Sequence, residues 1–294
     1  MTDFVDLAPT LGRQAALPTT ALSRADRRRL LGRQPRKRDP RVAHYSTYTT
    51  GAALPPPPAS LDLTKGVKEW GMMLNGDDPS NATGPTAGLV LGDCTCAAIG
   101  HREQVISLNV ATVEVTEPNT VVLQLYEEAC GYKLGDASTD QGGNEQTVLR
   151  YLQTTGLALA DGTRQKIDAF FEVDPKNTDD VKRAMVAGKG LYLGISIPEA
   201  WCTGTSQEWT LHSRFAKIGG GHAIYAVAYD SIGVWVISWG MLFRIHWDAF
   251  ARYVDEAWLI VSKDMFAAND AAASGLSEAD VDAAGAVFQR DVAA

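Results

Sequence analysis

The spacing of apolar residues changes character part-way along this 294-residue chain, and that change constrains the fold more than any single motif. Between about residues 93 and 186 apolar positions recur at helical intervals; from Leu191 onward they run as short strand-like blocks between turn signals. The first part predicts helices over 93–108, 121–129, 145–153 and 179–186, the last stopped at Gly188. The second predicts strands over 191–197, 222–229 and 234–239, the latter two joined by the turn Asp230-Ser231-Ile232-Gly233, and one more over 257–261. A final helix opens at Ser277, an N-cap residue. Helices early and antiparallel strands late imply an α+β architecture of two lobes.

Residues 1–60 follow neither pattern and read as an extended arm. Ser23 to Leu31 has the makings of a short capped helix, while Pro55-Pro56-Pro57-Pro58 makes a stiff polyproline II spacer. The segment has too few periodic apolar residues to fold alone. Its charge is also distinct: residues 1–42 carry ten Lys/Arg against four Asp/Glu, a net +6, whereas the remainder carries −14. An acidic body argues against nucleic-acid binding, which needs a basic surface to release counterions. The basic arm suits nucleic acid, an acidic partner or the acidic body of its own chain, and otherwise reads as a solvated charged tail.

Other classes are excluded more simply. No apolar run is long enough to cross a membrane, and no apolar leader opens the chain, so neither membrane insertion nor secretion is expected. Cys94, Cys96, Cys130 and Cys202 are too few and too scattered for a disulfide framework, which points to a reducing compartment. Asn81-Ala82-Thr83 fits a glycosylation sequon, to which the missing leader gives no weight. With neither CxxC pair nor His cluster at zinc spacing, no metal or other cofactor is expected.

The chemistry concentrates in Leu91-Gly92-Asp93-Cys94-Thr95-Cys96-Ala97-Ala98. A cysteine directly after Asp93, a natural N-cap, sits in the first turn of a helix, where unsatisfied N–H groups and the helix dipole favour the thiolate. Cys96, two residues along the same helix, is the other candidate nucleophile but points to roughly the opposite side. The candidate base is His222, in Gly219-Gly220-Gly221-His222-Ala223-Ile224. The hairpin it opens brings Ser238 close to facing it, so a hydroxyl can fix the imidazole tautomer. Trp239 then covers that bond from water, and Gly240 lets the backbone pass closely. His44, His101, His212 and His246 have no comparable context and read as surface or packing residues.

Together these motifs resemble the papain-like cysteine peptidases over residues 61–262, with 61–160 the mainly helical lobe, 161–262 the mainly β lobe and 263–294 a helical tail. Gly92-Asp93-Cys94 followed by Ala97 resembles the start of the nucleophile helix. Asp140-Gln141-Gly142-Gly143 resembles the substrate-cleft loop with its paired glycines, and Ser238-Trp239-Gly240 resembles the Asn-Trp-Gly strand. The order of the motifs and the gap of 128 residues from Cys94 to His222 are both compatible. Gly92–Ala98 and Tyr253-Val254-Asp255-Glu256-Ala257 are similar, more narrowly, to papain-like proteins encoded by bacteria and their phages. The resemblance implies a peptide or protein substrate, attack by Cys94 with His222 as base, and a thioacyl intermediate. It also implies residence in a bacterial cytoplasm or a phage virion.

Two departures from the family pattern matter. Ser238 stands where the family has asparagine, and Gly88 stands where it has the oxyanion glutamine. Trp70-Gly71-Met72-Met73-Leu74-Asn75 resembles the stretch that carries an asparagine donor in the phage-type proteins, which makes Asn75 the candidate oxyanion donor. Two functions follow. One is an active peptidase or related amide hydrolase; the other is an inactive papain-like domain, kept as a structural or binding piece of a capsid, tail or other assembly and anchored through residues 1–60. A propeptide is a third reading of the same arm.

Overall fold

The computed structural model describes residues 31–71, 73–76, 83–204, 206–211, 215–262 and 274–289. The helix expected at 23–31 (apart from Leu31), Asn81 of the sequon, His212 and Met72 lie outside these residues. One eight-stranded sheet organises the chain. Its strands are β1 (Leu61–Asp62), β4 (Ala169–Glu172), β5 (Leu191–Pro198), β6 (Glu208–Trp209), β7 (Ile218–Tyr229), β8 (Gly233–Ser238), β9 (Met241–His246) and β10 (Val254–Val261). The order is β4-β10-β5-β7-β8-β9-β6, with β1 also paired to β7. Every pairing is antiparallel except β6 with β9. A separate two-stranded ribbon joins β2 (Leu157–Ala158) and β3 (Arg164–Gln165).

Against this sheet stand α1 (Cys94–Asn109), α2 (Asn119–Cys130), α3 (Glu145–Thr154), α4 (Thr178–Ala187), α5 (Trp247–Tyr253) and α6 (Glu278–Gln289). Helix α1 is buried from Cys94 to Ile106. Such a helix has no water-facing side, so its polar residues need internal partners. Gln104 donates to Glu69 O at 2.6 Å and to Thr116 Oγ1 at 2.9 Å, and Arg102 reaches Ser262 Oγ at 3.3 Å. Helix α1 packs on β7 and on α2, so the first turn of α1 lies beside the strand that carries His222. Two apolar clusters flank the sheet: one is centred on α1, α2 and α3, the other on α4, α5 and the opposite sheet face. This is the two-lobed α+β arrangement, with the cleft where the lobes meet.

The expected elements are present with small extensions, and the misses have physical causes. Strand β7 starts at Ile218, four residues before the predicted strand, because Ile218, Gly220 and Gly221 pair with β5 around a bulge at Gly219, despite the low strand preference of glycine. Strands β4 and β9 were not anticipated: β4 is four residues long, and β9 follows β8 after a two-residue turn that the predicted strand ran into. In that turn Trp239 has φ 50° and Gly240 φ 70°, the pair of positive values that a tight hairpin requires. Asp93 does not cap α1 with its side chain, contrary to expectation; only its carbonyl joins the helix, accepting from Cys96 N and Ala97 N. Ser277 does cap α6, its Oγ accepting from Asp280 N while the Asp280 carboxylate accepts from Ser277 N.

Residues 31–60 lie along the body. Ala43 and Tyr45 exchange backbone bonds with Glu172 at the β4 edge, and the buried Tyr45 hydroxyl donates to Ser274 O at 2.5 Å. Further on, Tyr229 donates to Pro58 O at 3.0 Å. Among the described residues no helix is long and apolar enough to cross a membrane.

Candidate active site

Cys94 is the first residue of α1 and is fully buried. Its Sγ accepts a hydrogen bond from the Ala223 N–H at 3.4 Å, so the thiol lies beside the strand residue next to His222. The backbone N–H of Gly32 donates to the same sulfur. Cys96 lies about 200° further round the helix, and its Sγ is 3.9 Å from that of Cys130, away from the histidine. The geometry therefore separates the two candidate thiols.

His222 Nε2 shares a hydrogen bond of 2.8 Å with Ser238 Oγ. Its Nδ1 is buried and has no hydrogen-bond partner among the described residues. The imidazole stacks on Trp239, with centroids 4.9 Å apart and planes inclined by 20°. Trp239 in turn packs against Trp209 and Phe243. A large side chain at φ 50° costs about 1–2 kcal/mol, and these stacking contacts hold it there.

The paired glycines form the facing edge of the cleft. Asp140 fastens that edge to the start of α1, accepting from the Gly92 N–H at 3.1 Å and from the Tyr126 hydroxyl at 2.7 Å. Tyr126 Oη accepts in turn from the Gly142 N–H at 2.8 Å. Gly143 lies so close to α1 that a Cβ would stand 2.4 Å from Thr95 Oγ1 and 2.7 Å from Cys130 Sγ. Asn75 is buried at the same end of α1: its amide donates to Leu91 O at 3.4 Å and sits beside the Asp93 carboxyl. Burial and then the nearby Asp140 push that carboxyl well above the usual range, against the pull of its own N–H and of Asn75.

Residues 31–36 fill the cleft. Arg33 pairs with Gly143 as a parallel bridge: Gly143 N donates to Gly32 O and Gln34 N to Gly143 O, both at 2.8 Å. On the opposite wall Arg33 N donates to Gly221 O at 3.2 Å. Gly32 crosses above the start of α1 so closely that a Cβ would fall 1.5 Å from Gly92 O. The Arg33 side chain enters an acidic pocket and pairs at 2.6 Å with both Glu256 and Asp255. Arg36 pairs with Glu172, and Asn144 donates to Pro35 O at 3.0 Å. The basic segment is thus matched to the acidic body of its own chain.

Burial under this segment changes the electrostatics of the site. Desolvation pushes the Cys94 thiol up to about 12, and the Ala223 and Gly32 N–H groups offset only part of it. Desolvation and then the Arg33 charge hold His222 down to about 3. Thiol and imidazole are both neutral in this arrangement. Of the other histidines, His101 is buried against Trp70, His44 lies exposed near Glu172 and His246 bonds to Glu208.

The sequence reading missed Gly32, Arg33, Glu145, Asp255 and Glu256 as parts of the site. A glutamate inside the apolar strand Val254–Val261 was the available signal, since charge there is tolerated only with a partner.

No protein-family model matches the sequence, and no curated protein matches it. Solved structures do. The chain superposes on xylellain, a cysteine protease from Xylella fastidiosa, with a TM-score of 0.59 and 17% identity, over 80% of this chain and 97% of that one. Procathepsin L 3 of Tenebrio molitor larval midgut gives 0.51 and 12%, over 82% and 79%. Procathepsin B S9 from Trypanosoma congolense gives 0.50 and 11%, over 81% and 88%. The fold is that of the papain-like cysteine proteases.

Proposed function

We propose that the chain is a papain-like cysteine peptidase held shut by its own residues 31–36. One observation carries the reading. The buried Cys94 sulfur lies 3.4 Å from the N–H next to His222, whose Nε2 is tied to Ser238 and whose Nδ1 is left without a partner. In this seated arrangement no hydrogen bond joins Cys94 Sγ to Nδ1; the ring is oriented through Nε2 with Nδ1 open, and proton transfer needs the two to close to hydrogen-bond distance once the segment leaves.

With residues 31–36 displaced, water reaches the site and the Arg33 charge leaves it. The thiol then falls and the imidazole rises toward their ordinary ranges, and proton transfer from Cys94 to His222 becomes accessible at neutral pH. The Cys94 thiolate attacks the peptide carbonyl carbon. The resulting oxyanion is met by the Cys94 N–H, which no helical carbonyl satisfies, with the Asn75 amide as second donor after it exchanges its 3.4 Å bond to Leu91 O. His222 gives its proton to the departing amine, and the C–N bond breaks to leave a thioester on Cys94. Water, deprotonated by His222, then hydrolyses the thioester and regenerates the thiol. Ser238 holds the ring through Nε2, and Trp239 keeps water from that bond.

Seating of the basic segment in the cleft of its own chain supports a blocking role for it rather than an anchor to a capsid or tail. The second reading, an inactive papain-like domain in a phage virion or other assembly, draws on the serine at position 238 and on the neutral thiol and imidazole. Alkylation separates the two. In the full chain carrying Gly32→Val, whose side chain cannot fit against Gly92 O, Cys94 should react with iodoacetamide much faster than a free cysteine does at pH 6, where free thiols are protonated. Labelling at the free-cysteine rate would sink the peptidase reading.

A further inference from the structure

We infer that Glu145, Asp255 and Glu256 form a specificity pocket for an arginine side chain, so that this peptidase selects substrates bearing arginine at the residue paired with Gly143. The inference rests on the peptidase reading for its catalytic consequence, but the pocket itself is defined by geometry alone. Arg33 is its present occupant, with a side chain 5% exposed. Nη1 meets Glu256 Oε1 and Nη2 meets Asp255 Oδ1, each at 2.6 Å. The third carboxylate, Glu145, is fully buried and close enough for its charge to act on the guanidinium.

The pocket is built independently of the arginine. Trp258 Nε1 donates to Glu145 Oε2 at 3.0 Å, and Ser196 Oγ donates to Asp255 Oδ2 at 2.6 Å, so two of the carboxylates are held from outside the pocket. Glu145 and Glu256 lie within hydrogen-bonding reach of each other, and burial raises both carboxyls, so the guanidinium meets an interacting acidic pair beside Asp255 rather than separate charges. The floor is Gly194 of β5: a Cβ there would stand 2.7 Å from Arg33 Nη1 and 2.8 Å from Glu145 Oε2. Any larger residue would close the space the guanidinium uses.

Buried carboxylates cost free energy in any state that leaves them unpaired. A cleft that served apolar side chains would gain by replacing them. The blocking segment uses the pocket once, but a substrate strand lying along Gly143 and Gly221 meets the same three groups after the segment leaves. A planar fork reaching two carboxylates favours arginine over lysine, whose ammonium is a single point of charge.

The test is peptide binding to full-length Cys94→Ala/Gly32→Val, which is catalytically silent and has its cleft cleared. Fluorescent hexapeptides differing only in arginine, lysine, citrulline or norleucine at one position are titrated by anisotropy. The arginine peptide should bind roughly 30-fold more tightly than the citrulline and norleucine peptides, and Glu256→Gln should erase the difference. A second measurement does not depend on opening the cleft. Arg33→Ala should gain thermal stability with millimolar ethylguanidinium, and Arg33→Ala/Glu256→Gln should not. Equal binding of all four peptides with no ethylguanidinium response overturns the pocket, even if Cys94 proves reactive. Discrimination by binding alongside an inert Cys94 would instead sustain the pocket and remove the peptidase reading.

Discussion

Arg33→Ala is the most incisive perturbation of the proposed block. The lock has two arms. Asp255 is 44% exposed, and a solvated pair of this kind contributes ~0–1 kcal/mol. Glu256 is 1% exposed, and removing one partner of so buried a pair costs ~3–5 kcal/mol, part of which is recovered when the orphaned carboxylate hydrates in the open cleft. About 3 kcal/mol lost from the seated state shifts the open-to-seated ratio by about two decades. Seated Cys94, with its thiol pushed up to about 12 by burial, is almost wholly protonated at pH 7. Alkylation therefore reports the open population. Iodoacetamide labelling at pH 7, localised to the Cys94 peptide by mass spectrometry, should accelerate about 100-fold over wild type, with Cys96 unchanged because it faces Cys130 inside the molecule. Unchanged labelling in both Arg33→Ala and Gly32→Val, with native circular dichroism, would refute the claim that residues 31–36 control access.

Three further outcomes are expected. His222, held down to about 3 by burial and then by Arg33, should not titrate between pH 8 and pH 5 in histidine NMR spectra of the wild type, and its titration should move upward in Arg33→Ala, which removes the second cause and loosens the first. The sign follows from linkage. A histidine with depressed folded pKa contributes stability that is complete above about pH 6.5 and is lost as pH falls toward about 3, because the unfolded chain takes up the proton first. His101, held down to about 4 by burial, adds a loss of the same sign, while the raised Asp93 carboxyl acts the other way, so the fall in urea midpoint from pH 6 to pH 4 should shrink in His101→Gln, and an unchanged profile there would contradict the His101 assignment. In the Gly32→Val background, Ser238→Ala should lower kcat about tenfold with little change in KM, and Ser238→Asn should restore it; loss of KM alone would argue against an orienting role. Gly143→Ala should destabilise the chain by about 1–3 kcal/mol in urea, since its Cβ meets the Thr95 and Cys130 side chains at under 3 Å.

Local pattern carried much of the fold. Helices α1 to α4 announced themselves by spacing and by stops such as Gly188, and β5, β7 and β8 by apolar runs between turns. What failed were features decided by partners. Asp93 reads as an N-cap in any local view, yet burial at 0% exposure places its carboxyl among Asn75, Asp140 and the helix start instead of on a first-turn N–H. Trp239 reads as a strand residue because an aromatic at φ 50° is unfavourable alone; it occupies the turn because His222, Trp209 and Phe243 hold the indole there. Strand β4 is only four residues long and takes its register from β10 on one side and from residues 43–45 on the other.

The candidate pair was legible for the opposite reason. Cys94 depends on a local feature, the first turn of a helix, and His222 with Ser238 depends on one hairpin, so short-range sequence is sufficient to bring out both. The acidic pocket depends on three separate elements. Glu145 opens α3, Asp255 and Glu256 lie on β10, and Gly194 belongs to β5; each looks ordinary in its own segment. Arg33 is one of ten basic residues in a stretch that reads as solvated charge. Only its burial beside two carboxylates distinguishes it. The general lesson concerns charge complementarity: a basic segment next to an acidic body had its own body as a possible partner from the start. An isolated buried glutamate in an apolar strand was the sign of where that partner would bind, because such a group persists only where a cation, from this chain or from a substrate, comes to meet it.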